Sequence, residues 1–132
     1  MQMQKLAWVF AVVFLGVGVL GFVPMVTPNG HLLGIFEVSP LHNVIHLVSG
    51  LAAAYAASQS AAYSRLYFKV FGVVYGLVTV IGLVMSGDVV GLIHVNMADN
   101  LLHLLIAAAA LYIGFMLKEP ASGMGGAPTA TV

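Results

Sequence analysis

Four side chains in this sequence are of the types that hold metal ions: His42, His46, Asp99 and His103. Three imidazoles and a carboxylate suit zinc, copper or iron. His42 and His46 are separated by one helical turn, as are Asp99 and His103, so each pair shares a helix face. His46 and His103 alone could instead hold a b-type haem as axial ligands, with Gly50 and Ala107 leaving room for the macrocycle face. A third reading needs no ligand. Histidine and asparagine side chains hydrogen-bond between membrane helices, and Asn43 and Asn100 lie three residues before His46 and His103 on a neighbouring stripe. Ser39 and Asn96 fit helix N-caps, with Pro40 at a first helical position and Asp99 completing a capping-box pattern. A proton or ion pathway is the remaining reading, because ionisable groups within a membrane commonly mark one.

These positions belong to an internal repeat. Gly34–Ala57 aligns without gaps on Gly91–Gly114 at an offset of 57 residues (46 and 103, for example). The matches include Gly34/Gly91, Val38/Val95, Asn43/Asn100, His46/His103 and Tyr55/Tyr112; Ser39 aligns with Asn96, and His42 with Asp99. Alanine and leucine matches are common in membrane helices, but a repeated Asn-x-x-His with its flanks is not. The simplest source is a duplicated helical hairpin whose two copies insert the same way up, related by an axis along the membrane normal. His46 and His103 then lie at equal depth. Small residues continue each histidine stripe: Gly50, Ala53 and Ala57 on one, Ala107, Ala110 and Gly114 on the other. Such stripes allow close helix approach.

The elements that position these residues follow from composition. The chain has 132 residues, 61% of them hydrophobic and 6% charged, with a mean hydropathy of +1.08. Soluble domains carry about a quarter charged residues. Net charge is zero, which gives no basic field for nucleic acid, and the absence of cysteine excludes disulfides, thiolate metal sites and cysteine nucleophiles. Four runs approach the roughly 20 apolar residues that a spanning helix needs: about 6–23, 41–58, 66–86 and 97–117. The first is too long for a signal peptide and lacks a small-residue cleavage site. Residues 1–117 form one transmembrane domain on this reading, and 118–132 a disordered tail.

Lys5, Arg65, Lys69 and Lys118 all fall on one side of such a bundle, and the first and third connections contain no Lys or Arg. Both termini are therefore expected on the cytoplasmic face. All five histidines, with Glu37, Asp88 and Asp99, then occupy the outer half. Arg65, Lys69, Trp8, Tyr63 and Tyr67 are expected at the inner interface, and Tyr55 and Tyr112 to bond neighbouring helices. The segments Gly34–Val38 and Gly91–Val95 are expected to pair as short strands over the outer mouth, bringing Glu37 near His94. No Walker loop, dinucleotide fingerprint, HExxH or serine triad order appears.

At Phe36–Leu47 and Asp99–His103, through PLHNVIHLVSG and NMADNLLHLLIA, the chain resembles a bacterial family of small four-helix membrane proteins, the domain of unknown function DUF4383. The resemblance covers about Lys5 to Leu117. It implies a bacterial inner-membrane location and four spans, and it carries over no catalytic residues.

The sequence reading is thus an all-α four-helix transmembrane bundle of two parallel-related hairpins. Its expected role is non-enzymatic, with the outer His/Asn/Asp cluster organising the bundle. The alternatives are metal or haem binding at that cluster, for redox or metal handling, and a small transporter or channel subunit. The lipid bilayer, a second copy or a membrane protein are the expected partners.

Overall fold

The apolar runs fold as helices whose ends follow local chemistry. The computed structural model describes residues 1–120; the expected tail lies outside the described residues from 121 onward. Helix α1 covers Gln2–Leu20. Two single 3-10 turns, Pro24–Val26 and Pro28–Gly30, lead into a two-stranded antiparallel pair, β1 (His31–Leu32) with β2 (Phe36–Glu37). Helix α2 (Pro40–Gln59) starts where the Ser39 hydroxyl accepts the His42 amide at 3.2 Å. Ser60, in an extended conformation, ends α2 and caps α3 (Ala61–Val84) by accepting the Tyr63 amide. A second pair, β3 (Asp88–Val89) with β4 (Ile93–His94), precedes α4 (Met97–Leu111). Asn96 and Asp99 form a reciprocal capping box with both bonds at 2.9 Å. Helix α4 runs into a π-helical turn, Tyr112–Met116.

Three segments are long and apolar enough to cross a membrane: α1, α3 and Met97–Met116. Helix α2 matches them in length, with 20 residues, but its polar residues lower its hydropathy. Three of those polar residues turn inward. His42, Asn43 and His46 are buried, while Leu41, Val44, Ile45, Val48 and Leu51 are exposed.

The helices pack as two antiparallel hairpins, α1 on α2 and α3 on α4. Small residues set the approach. A Cβ at Gly50 would sit 2.8 Å from Leu15 Cγ and 2.9 Å from its backbone nitrogen, and one at Gly72 would meet Leu111 in the same way. Ala53, Ala57, Ala107 and Ala110 are all buried along the histidine stripes. Between the hairpins, Phe14 meets Phe71 edge-on at 5.0 Å between ring centroids, and Phe10 meets Phe68 at the same distance. Such edge-to-face pairs add roughly 0.5–1.5 kcal/mol each beyond their buried area. Helices α2 and α3 make fewer contacts and leave a cleft between them.

Several expectations are corrected. The short strands pair within each connection, not across the mouth, because each loop turns back on itself at residues of positive φ. Those positions are Asn29, Gly30, Leu33 and Gly34 in the first loop and Ser86, Gly87, Val90 and Gly91 in the second. Tyr67 is buried and donates to the Ser49 carbonyl at 3.3 Å instead of lying at an interface. Tyr55 and Tyr112 are exposed and bond no neighbouring helix among the described residues. Arg65 bonds the Gly114 and Leu117 carbonyls at 3.1 and 2.8 Å, satisfying the C-terminal turn after α4. Lys69 lies 5.1 Å from the Phe115 ring centroid, a cation–π distance.

Close approach at Gly50 predicts that Gly50→Ala lowers stability by about 1–3 kcal/mol through overpacking. Gly16→Ala, where nothing lies within 4 Å of the added carbon, should be neutral or stabilising by up to about 1 kcal/mol. Thermal unfolding in detergent micelles compares the two; equal effects would contradict the packing described.

Candidate metal centre

Two helices supply three imidazoles to one buried point. The Ser39 cap and Pro40 fix the start of α2, so His42 and His46 fall on its inward face one turn apart. The Asn96–Asp99 box fixes the start of α4, and His103 projects from the same relative depth. His42 and His103 are 1% and 2% exposed, and His46 is 7% exposed. The ring centroids form a triangle with sides of 4.5 Å (His42–His46), 5.7 Å (His42–His103) and 6.2 Å (His46–His103). Each histidine offers one ring nitrogen such that all three lie within 4.8 Å of one another. Tetrahedral zinc with bonds of about 2.0–2.1 Å needs nitrogens roughly 3.4 Å apart, so rotamer adjustment that brings the widest pair up to about 1.4 Å closer would close the set.

The hydrogen bonding favours ligation. His42 Nδ1 lies 3.1 Å from the Glu37 carbonyl oxygen. A carbonyl only accepts, so Nδ1 carries the hydrogen, and in the neutral ring Nε2 presents its lone pair. A ring held by its second nitrogen in this way is the usual setting of a metal-bound histidine. His42 Nε2, His46 Nδ1 and His103 Nδ1 are buried and have no hydrogen-bond partner among the described residues. Leaving such a group unpaired costs about 1–3 kcal/mol. Phe14 packs edge-on against His46 and Tyr75 against His103, at 5.6 and 5.4 Å between centroids.

The family described as Domain of unknown function (DUF4383) matches residues 4–116, which covers both histidine helices and all of the cluster. The chain belongs to that family. No curated protein and no solved structure matches it.

Not every sequence candidate joins the centre of this DUF4383 chain. Asp99 is buried beside it, but its Oδ2 accepts the amides of Asn96 at 2.9 Å and Glu37 at 3.1 Å. The carboxylate is outside the three-residue group because the cap and the opposite loop hold it. Asn43 and Asn100 are buried against Gly21 and Gly82, the small residues that admit their amides; each retains an unpartnered Oδ1. Ser39 and Asn96 act as caps, and the Asn96 amide also donates to the Ile35 carbonyl at 2.7 Å. The haem geometry does not fit. His42 fills the space beside His46 and His103, and Gly50 faces α1 instead of a gap for a macrocycle.

Three further neighbours of the cluster carry no signal in the sequence. Ser49 Oγ and Tyr75 Oη are 3.1 Å apart near the histidines, and Tyr67 reaches the same turn of α2. Serine and tyrosine recur through the chain, so no spacing singled these out.

Glu37 links the centre to the outer surface. Its carbonyl holds His42, its amide binds Asp99, and its carboxylate pairs with His94 Nδ1 at 3.0 Å. The bond from Glu37, followed by its charge, raises the His94 pKa above the ordinary 6.5, with smaller contributions from Asp88 and Asp99. The folded value is the raised one, so the pairing contributes fully below about pH 6.5 and is lost as pH rises through the folded value. In a histidine NMR titration, Glu37→Gln should therefore move His94 back down toward 6.5. An unchanged midpoint would refute the pairing.

Proposed function

We propose that this DUF4383 chain is an integral protein of the bacterial inner membrane that binds one transition-metal ion through His42, His46 and His103. The observation that carries this reading is the convergence of three buried imidazoles whose free nitrogens lack protein partners. Had the histidines served only to join helices, each would be expected to bond a separate group; His46 and His103 bond none among the described residues. Three imidazoles and an open position suit zinc, copper or iron. The role is metal handling or redox chemistry, with the His42 ring held in its ligating orientation by its bond to the Glu37 carbonyl.

The membrane arrangement proposed has four spans and both termini in the cytoplasm. Helix α2 is taken as the fourth; its 20 residues would reach about 30 Å at 1.5 Å per residue, and Leu41, Val44, Ile45, Val48 and Leu51 give it an apolar exposed face. Lys5, Arg65, Lys69 and Lys118 are assigned to one end of the bundle, together with Glu119, and the acidic residues Glu37, Asp88 and Asp99 to the other. A duplicated hairpin accounts for the pairing of residues 57 apart: Phe14 with Phe71, Glu37 with His94, and His46 with His103. The positive-φ residues of the two loops keep the same offset (29 and 86, 30 and 87, 33 and 90, 34 and 91).

Elemental analysis of protein purified without a metal-affinity tag and dialysed against zinc, copper or iron tests the site. We expect a single ion per chain, lost on His42→Ala, His46→Ala or His103→Ala and retained on His31→Ala. No stoichiometric metal, or equal loss with His31→Ala, would overturn it. Cysteines placed in the 24–39 connection should react with an impermeant reagent added outside the cell; reaction only after lysis would overturn the topology.

A further inference from the structure

The cleft between α2 and α3 gives the histidine cluster a second aspect. It has a volume of about 440 Å³, within the range of small-molecule sites. Its inner end reaches His42, His46 and His103, and its rim includes the exposed residues Val48, Leu66, Val70 and Val74. In a bilayer this rim faces lipid, so the cleft is entered sideways from the hydrocarbon.

The walls are selective for shape. Tyr67, Phe71 and Tyr75 stack along α3 with centroid separations of 4.8 and 4.2 Å and line one side of the cleft. An aromatic ring offered to this ladder gains offset or edge contacts. The Ser49–Tyr75 hydroxyl pair bridges α2 and α3 at 3.1 Å, and both residues line the cleft together with the three histidines. A phospholipid acyl chain carries no atom that bonds any of these groups. An aromatic head with hydroxyl oxygens, on an apolar tail, meets each of them.

We propose that the cleft binds a lipid-soluble hydroquinone, with its ring against the Tyr67–Phe71–Tyr75 ladder and one hydroxyl oxygen directed to the histidine centre. This deepens the metal reading and rests on it for the last contact. Three neutral imidazoles leave the charge of the ion uncompensated, and an electron-rich oxygen donor at the open position lowers that cost in an apolar setting. The second hydroxyl and the tail lie toward the rim.

Calorimetric titration of metal-loaded protein in detergent, under argon, with decyl-tailed 1,4-benzohydroquinone tests this. Decylcyclohexane, which has the tail without hydroxyls or an aromatic ring, reports partitioning into the micelle. We expect saturable binding of the hydroquinone alone, weakened at least about tenfold by Ala52→Trp or Val74→Trp, which plug the rim. Both variants should keep their metal. Two positions are used so that a variant that fails to fold leaves the other to decide. Equal signals for the two probes, or full binding by both plugged variants, would overturn the hydroquinone site while leaving the metal site intact. Absence of metal with hydroquinone still bound at the cleft would overturn the metal contact instead.

Discussion

Polar groups inside a hydrocarbon layer have no water to pair with, so each must find a partner within the protein or bear the cost of lacking one. The arrangement of this chain follows from that constraint. Helix α2 carries His42, Asn43 and His46 and turns all three inward. Helix α4 does the same with Asn100 and His103. The glycines and alanines along both stripes let neighbouring helices approach closely enough to enclose these side chains. Most of the polar groups are then satisfied locally: Ser39 and Asn96 by capping, Asp99 by two amides, and Arg65 by the carbonyls after α4. The ring nitrogens at the centre are the main exceptions, and they are the basis for placing a ligand there.

The bundle is more symmetric in its scaffold than in its chemistry. Residues 57 apart meet at three levels, the Glu37–His94 pair outermost, then His46 with His103, then Phe14 with Phe71. At the positions of His42 and Asp99 the two halves differ, and this difference gives each residue its own task. His42 joins the imidazoles, while Asp99 ties the start of α4 to the opposite loop. Glu37 touches both.

The helices, both N-caps and the convergence of His46 with His103 were legible because each rests on a short-range signal. Ser39-Pro40 and Asn96-x-x-Asp99 mark helix starts by local hydrogen bonding, and the Asn-x-x-His repeat places two imidazoles at equal depth. The strand pairing was misread, since equal composition in two loops says that they share a conformation and not that they pair. Tyr55 and Tyr112 are repeat-matched yet exposed, while Tyr67 and Tyr75, outside the matched segments, are buried, Tyr75 against Phe14 of α1 and Tyr67 against Phe71 and the Ser49 carbonyl of α2. The cleft beside the histidines depends on how far α2 and α3 splay, and helix separation leaves no mark in a single sequence.

X-ray absorption at the edge of the bound metal reads out directly whether the three histidines hold it. For zinc, the expected spectrum has nitrogen or oxygen donors at roughly 2.0–2.1 Å and the multiple scattering of three imidazole rings. A shell without imidazole scattering, or one that persists when His46 and His103 are both replaced, would contradict it.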